Sequence, residues 1–274
     1  MWTKTHLGDS NPELIVVDKS YLQGASPSAI ADLRSKYVVV MPDALFYELM
    51  TTTNFARQCC FNKLLGNNPI ELTLGIGDLL RYESQHIRPC TPLLEGRLIP
   101  VLSFGPGLRD AELRIKADQQ AALAEWENYY KGRVAAFRKF FPVIIEFFPG
   151  LTGYTPGTIK GIELIAICKK AIASDWYMVR KIYAAVQRET LPPGHLLDPN
   201  WAYFRWIQVW LTASLDHFAK YGAISRGLSD PEMFNEVIDL EYLITSALAG
   251  GLASRDKGMI SRFQLLCPAA HLVQ

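Results

Sequence analysis

The chain has little of what marks a disulfide-bonded or zinc-binding protein. Its 274 residues include five cysteines, an odd number without a CxxC pair, and five histidines that form no HExxH motif. These absences exclude a disulfide framework and the usual zinc motifs, and they favour a reducing compartment. The cysteines are Cys59, Cys60, Cys90, Cys168 and Cys267.

Long apolar runs and an excess of one charge are also lacking. No apolar stretch approaches the roughly 18 residues of a membrane span, and residues 1–13 lack the apolar centre of a signal peptide. Lys and Arg number 28 against 27 Asp and Glu, which excludes binding to a polyanion through overall charge alone. Because 49% of residues are hydrophobic, a substantial core is available. We expect a soluble, cytoplasmic protein without a membrane partner.

What is present at the start is an alternation of strands and helices. Residues 14–24, LIVVDKSYLQG, form an apolar run that ends in an acid, which predicts a buried parallel strand placing Asp18 in the following loop. Ser26 is a candidate cap of the next helix. Residues 37–42, YVVVMP, predict a second strand, and ALFYELMTT predicts the helix after it. The pattern indicates a parallel α/β fold.

The same pattern returns near the other end of the sequence. EVIDLEYLITSALAGGLASRDKG predicts a helix that begins near Asp239, stops at two glycines and gives way to a short strand. Residues 264–268, QLLCP, predict a final edge strand closed by proline. Both portions are too short to fold separately, so we expect one sheet that they build together.

The middle of the chain differs from both portions. Residues 55–105 carry several prolines and glycines and are expected to be irregular, whereas residues 108–221 have the spacing of amphipathic helices. The sequence therefore predicts a discontinuous α/β domain, residues 1–54 and 236–274, with a mostly α-helical insertion at residues 55–235.

Four acids belong to separate elements of the predicted α/β domain. Asp18 follows the first strand, Glu48 lies on the helix after the second, Asp239 lies on a late helix, and Asp256 follows the last short strand. Ligands of open parallel sheets gather at the carboxyl ends of the strands. Clustered carboxylates repel one another unless a cation neutralises them, and Mg²⁺ and Mn²⁺ prefer oxygen ligands. Two such ions can support phosphodiester hydrolysis.

In these four motifs the sequence resembles the PIN domain nucleases. LIVVDKSYL matches the family's opening strand and Asp, and VVVMPDALFYEL matches its strand, proline and helical Glu, with Pro42 and Glu48 six positions apart. IDLEYLITSALAGG matches the Asp-bearing helix rich in small and aliphatic residues, and LASRDKG matches the strand that ends in Thr/Ser-x-Asp. The last two acids are 17 positions apart, close to the family's usual separation.

The resemblance implies a three-layer α/β/α fold with a central parallel sheet. Asp18, Glu48, Asp239 and Asp256 would be the catalytic residues and metal ligands, and Ser254 and Ser20 would support the acids or contact substrate. The implied cofactor is Mg²⁺ or Mn²⁺, with two ions when substrate is bound. The implied activity is endoribonuclease cleavage of single-stranded or structured RNA. The resemblance leaves the helical middle uncovered, and it is compatible with a homodimer and with an inhibitory partner protein.

Other functions stay open at this point. A DNA or flap nuclease would use the same acids, because they bind metal and phosphate rather than base edges. A catalytically silent module that binds RNA or protein is the alternative from another class, and the intact acid set argues against it. An aspartyl phosphotransferase would need a second acid where Ser20 stands. Glu241, two positions beyond Asp239, points to another side of the helix. The aromatic cluster at residues 201–210 has the spacing of a buried helix face.

Overall fold

A computed structural model gives the structure of the chain. It describes residues 13–64, 71–72, 75–91, 106–110, 115–186, 192–222 and 230–274, the two residues 71–72 by their backbone alone. Over these residues the chain is a mixed α/β protein, with a parallel sheet and a larger helical part.

The sheet has five strands in the order β3-β2-β1-β4-β5, and every neighbouring pair is parallel. The strands are β1 (Leu14–Val17), β2 (Val38–Met41), β3 (Glu71–Leu72), β4 (Gly251–Ala253) and β5 (His271–Val273). β1 lies at the centre, with Val16 opposite Val40 of β2 and Leu252 of β4. Its residues 15–17 are fully buried, as expected for a β-branched central strand.

In the first part of the chain, helices connect the strands and follow them. They are α1 (Lys19–Gly24), α2 (Pro27–Lys36), α3 (Asp43–Thr51), α4 (Asn54–Lys63) and α5 (Ile76–His86). Ser26 caps α2 by accepting a hydrogen bond from the Ala29 amide, as the sequence predicts. The strand predicted at the start of residues 14–24 is found at Leu14–Val17, the strand predicted at 37–42 is found at Val38–Met41, and the helix that carries Glu48 is confirmed.

The helical part contains α6 (Ala117–Phe147), α7 (Ile159–Ser174), α8 (Trp176–Val186) and α9 (Ala202–Tyr221). α9 is the most buried of these helices and packs against α6, α7, α8 and the later helix α10. The aromatic residues Trp201, Tyr203, Phe204 and Trp210 are buried, so this cluster belongs to the core. No described helix is long and apolar enough to cross a membrane.

The last part of the chain returns to the sheet through α10 (Asp230–Ala249) and α11 (Lys257–Leu266). Gly250 ends α10 with a φ of 81°, a backbone conformation that favours glycine. A Cβ on Gly251 would lie 2.5 Å from the carbonyl oxygen of Leu14, so only glycine fits where β4 joins β1. The predicted break and short strand at this place are confirmed.

Three predictions of local structure are wrong. α10 begins at Asp230, so Asp239 lies within the helix instead of opening it; acids at 230 and 232 occupy its first turn, and Met233 and Val237 extend its buried face. QLLCP is the end of α11, because Met259, Phe263 and Leu266 form one buried helical face. Residues 54–63 and 76–86 are helical rather than irregular, and the sheet also takes strand β3 from this region.

Candidate functional site

Asp18 lies at the carboxyl end of the central strand and is almost completely buried. Its Oδ1 caps α1 by accepting a hydrogen bond from the Tyr21 amide at 2.7 Å. Burial raises the pKa of the Asp18 carboxyl and the charge of Glu48 adds to this, while hydrogen bonds from Ser254, Tyr21 and Ser20 oppose the rise. The side chain is therefore held in one orientation at the edge where β1 and β4 end together.

Two serines join this acid to the loop after β4. Ser254 donates to Asp18 Oδ2 at 2.6 Å, and Ser20 donates to the same carboxylate at 2.8 Å. Ser20 Oγ also accepts from the backbone amides of Arg255 and Asp256, at 2.9 and 3.1 Å. Both serines that were predicted to support the acids thus contact Asp18, and they position the segment that carries Asp256.

Asp256 is exposed at the mouth of this region. Its side chain caps α11 by accepting from the Met259 amide at 2.7 Å, and its own amide donates to Ser254 Oγ at 3.0 Å. The Asp256 carboxylate is the acid of the set that is most open to solvent, so it can reach a ligand without a change of the backbone.

Glu48 lies on α3 with both carboxylate oxygens engaged. Lys19 Nζ lies 3.3 Å from Oε1, and the Tyr242 hydroxyl donates to Oε2 at 2.7 Å. Tyr242 is buried in α10, and burial together with the negative charge of Glu48 raises its pKa. Tyr242 therefore remains a donor at physiological pH and orients Glu48.

Asp239 lies half-buried on the α10 turn that precedes Tyr242. Burial and the charges of Glu236, Glu48 and Asp256 together raise the pKa of Asp239 to about 8, while Arg262 opposes the rise. Arg262 forms ion pairs with Asp216 and Glu236, so its positive charge is already balanced and stabilises the Asp239 carboxylate only weakly. Asp239 is thus the acid whose negative charge is least compensated.

The pKa effects connect all four predicted acids into one electrostatic group. Asp18 is influenced by Glu48, and Asp239 is influenced by Glu48 and Asp256. By donor chemistry the group fits a hard divalent cation, because every candidate ligand is a carboxylate oxygen and mutual repulsion disfavours the charged forms. Among the described residues no three His, Cys, Asp or Glu side chains are gathered closely enough to hold an ion.

Glu241 points away from this group, as its helix position predicts. It accepts hydrogen bonds from Tyr129 and Arg133, both at 3.2 Å, and it is buried on the side of α10 that faces α6. A hydrogen bond from the Ile76 amide at the start of α5 also lowers its pKa against the effect of burial. Glu241 thus connects α10 to α5 and α6.

Two residues of the site were not predicted from the sequence, Lys19 and Tyr242. Lys19 follows Asp18 directly, so its position next to a predicted acid was an available signal. Tyr242 lies three positions after Asp239, within hydrogen-bonding reach of the same helix face, but its partner Glu48 is 194 positions away in sequence. No local pattern reports a pair of that separation.

Comparison with known proteins adds no relative from which a function can be transferred. No family model matches the chain, and neither a curated protein nor a solved structure matches it. A functional inference for this chain therefore rests on the geometry of the site.

Proposed function

We propose that this chain is a metal-dependent endoribonuclease with a PIN-like fold, and that Asp18, Glu48, Asp239 and Asp256 form its active site. The observation that carries the proposal is the set of four acids that influence one another around the carboxyl ends of β1 and β4, with an Asp239 pKa of about 8 that Arg262 only partly offsets. An acidic group of this kind at a ligand-binding edge is a candidate functional site. The strand order β3-β2-β1-β4-β5 supplies that edge.

Mg²⁺ or Mn²⁺, as one ion or two, would be held by these four acids. A bound divalent cation supplies Lewis acidity for the phosphoryl oxygen and lowers the pKa of a water that attacks phosphorus. Loss of the Asp239 proton would accompany binding, because only the carboxylate form is a good ligand. Hydrogen bonds from Ser20 and Ser254 hold Asp18 in a fixed orientation, and one from Tyr242 does the same for Glu48, which supports the proposal.

Three cationic residues accompany the acids and suit a phosphate backbone. Lys19 pairs with Glu48, whereas Arg255 and Lys257 are exposed and flank Asp256 in sequence, with Arg255 donating to the Gly24 carbonyl. If a bound cation neutralised Glu48, Lys19 would be free to bind a phosphate oxygen. These contacts recognise a phosphodiester without reading bases, so a DNA or flap nuclease is a variant of the same proposal.

The test is cleavage of labelled single-stranded RNA by the purified chain with Mn²⁺ or Mg²⁺, beside EDTA and the Asp256→Asn variant. Asparagine preserves the cap of α11, so this variant is expected to fold normally. We expect metal-dependent cleavage that falls by about a thousandfold or more in the variant, the effect of removing a carboxylate ligand from a two-metal mechanism.

Labelled DNA is assayed in parallel. Cleavage of DNA but not RNA would redirect the proposal to a DNA nuclease. Folded protein that binds Mn²⁺ and RNA but cuts neither nucleic acid would overturn the enzymatic proposal in favour of a silent RNA-binding module. Equal cleavage by wild type and Asp256→Asn would show that the activity arises elsewhere.

A further inference from the structure

Exposed apolar side chains concentrate on two consecutive helices far from the acidic site in sequence. Of the nine large hydrophobic residues that are exposed among the described ones, five lie between positions 159 and 177. On α7 they are Ile159, Ile162 and Ile167, with exposed fractions of 79%, 57% and 66%, and Trp176 and Tyr177 begin α8. Scattered exposed apolar residues are ordinary, but a contiguous group marks an interaction surface.

The outward face of α7 has a regular composition. At 100° per residue, Ile159, Glu163, Ala166 and Lys170 form its centre line, and Ile162 and Ile167 flank that line on opposite sides. The opposite face, with Ile165, Cys168 and Ile172, is buried against the rest of the protein. α7 therefore buries one apolar face against the rest of the protein and exposes a second set of apolar side chains to solvent.

The charges on this face complement those on the same face of a second copy of the chain. Two copies of α7 that run antiparallel about a point between Ala166 and Ile167 place Glu163 of each copy opposite Lys170 of the other. Neither residue forms an ion pair with a described residue of its own chain. A two-fold interface requires this kind of pairing, in which one patch complements itself.

The apolar residues fit the same register. Ile167 lies next to the two-fold point, so its side chain meets its own copy, and the small Ala166 lets the two helices approach closely. Ile159 at one end of α7 comes opposite Ser174 of the partner's helix, the end that Trp176 and Tyr177 follow in sequence. The arrangement that pairs the charges thus also brings the two copies of Ile167 together.

We propose that the chain forms a two-fold homodimer through the antiparallel pairing of α7 with α7 of a second copy. The interface is small, because a helix of 16 residues is about 24 Å long. Its area lies below that of a standard stable complex, so the dimer dissociates in the micromolar range. The proposal is independent of the nuclease activity.

The test is sedimentation equilibrium of the full chain, from low-micromolar to several hundred micromolar protein, with two charge reversals. Glu163→Lys and Lys170→Glu each replace two attractive pairs by two repulsive ones, and we expect each to weaken the dimer about tenfold or more. Both positions are exposed, and unchanged circular dichroism verifies the fold. Lys139→Glu, a reversal at an exposed site on α6, is the matched control and should dimerise as wild type does.

Mixing the two variants gives the decisive result. A mixed dimer restores both opposite-charge pairs, so the mixture should associate about as tightly as wild type although each variant alone does not. Three results would overturn the proposal: a wild-type chain that stays monomeric throughout, charge reversals that leave the dimer unchanged, or a mixture that fails to recover association.

Discussion

Glu83 and Asp239 are two acids whose pKa is raised by burial, and they differ in what neutralises them. Glu83 is fully buried on α5, and its carboxylate accepts hydrogen bonds from the amides of Cys90, Ala202 and Tyr203, at 2.7 to 3.0 Å. The last two amides are the start of α9, so Glu83 caps a helix from another part of the chain. Through these hydrogen bonds the Glu83 carboxylate links α5 to α9.

Asp239, near the carboxyl edge of the sheet, differs from Glu83 because no hydrogen bond from a described residue lowers its pKa. Asp239 has three neighbouring carboxylates that raise its pKa and one arginine, already engaged elsewhere, that lowers it. Burial alone therefore does not decide how a carboxyl group is used in this fold. Glu83 has three donors from its own chain, whereas burial and neighbouring carboxylates keep Asp239 protonated up to a pH of about 8.

The largest effect on stability is expected at Glu83. Glu83→Ala leaves three buried amides without an acceptor, so the free energy of unfolding should fall by about 3–5 kcal/mol. Urea titration followed by circular dichroism measures this change. Gln85→Ala, an exposed position on the same helix, serves as the control and should stay within about 0.5 kcal/mol of wild type. A loss at Glu83 no larger than at Gln85 would show that the cap contributes little.

Substitution of Asp239 should have the opposite effect and increase the free energy of unfolding. Its pKa rises from 3.8 to about 8 on folding, so the folded chain keeps a proton that the unfolded chain releases between these pH values. The free energy of unfolding therefore falls as pH rises through this window. Asp239→Asn removes this loss and should be more stable than wild type by about 1–3 kcal/mol at pH above 8.

Thermal unfolding in EDTA at a series of pH values measures the difference between Asp239→Asn and wild type. The advantage of the variant should grow from acidic to weakly alkaline pH and then level off. A stability difference that does not change with pH would contradict the raised pKa. Addition of Mn²⁺ should stabilise wild type more than the variant, since the variant lacks one carboxylate.

The smallest effect is expected from the hydroxyl group of Tyr242. Tyr242→Phe removes the donor to Glu48 and should cost about 1 kcal/mol of stability. RNA cleavage should fall about tenfold, mostly in kcat, because Glu48 loses its orientation. Tyr129→Phe is the matched control, since it removes a donor to Glu241 and should affect stability without changing cleavage. Equal cleavage by both variants would remove Tyr242 from the positioning role.

Much of the sheet could be predicted because its central strands are short β-branched runs followed by helix caps. β1 and β2 fit this description, and the glycines before β4 locate the return of the chain to the sheet. β3 has only two residues, too few for a periodic pattern in the sequence. It is a strand because it pairs with the edge of β2. QLLCP was misassigned because a short apolar run fits a strand and a helix end equally well.

The candidate acids could also be found from the sequence, through the positions of Asp18, Glu48 and Asp256 after predicted strands. What orients them could be predicted only in part, because Ser20 and Ser254 were expected to support the acids but Tyr242 was not. The contacts of Ser254 with Asp18 and of Tyr242 with Glu48 join residues 236 and 194 positions apart. Such pairs depend on which strands become neighbours, and a single sequence holds no local signal of that neighbourhood.

The hydrogen bond between Asp18 and Ser254 has a consequence for synthesis on the ribosome. A nascent chain carries Asp18 and Glu48 long before it carries residues 251–256, and β1 lacks its neighbour β4 throughout that interval. Translation proceeds at about 5–20 residues per second, so the acids stay unassembled for many seconds next to the translating machinery. If these acids carry the proposed nuclease activity, that activity is absent while the chain's own messenger RNA is still being translated.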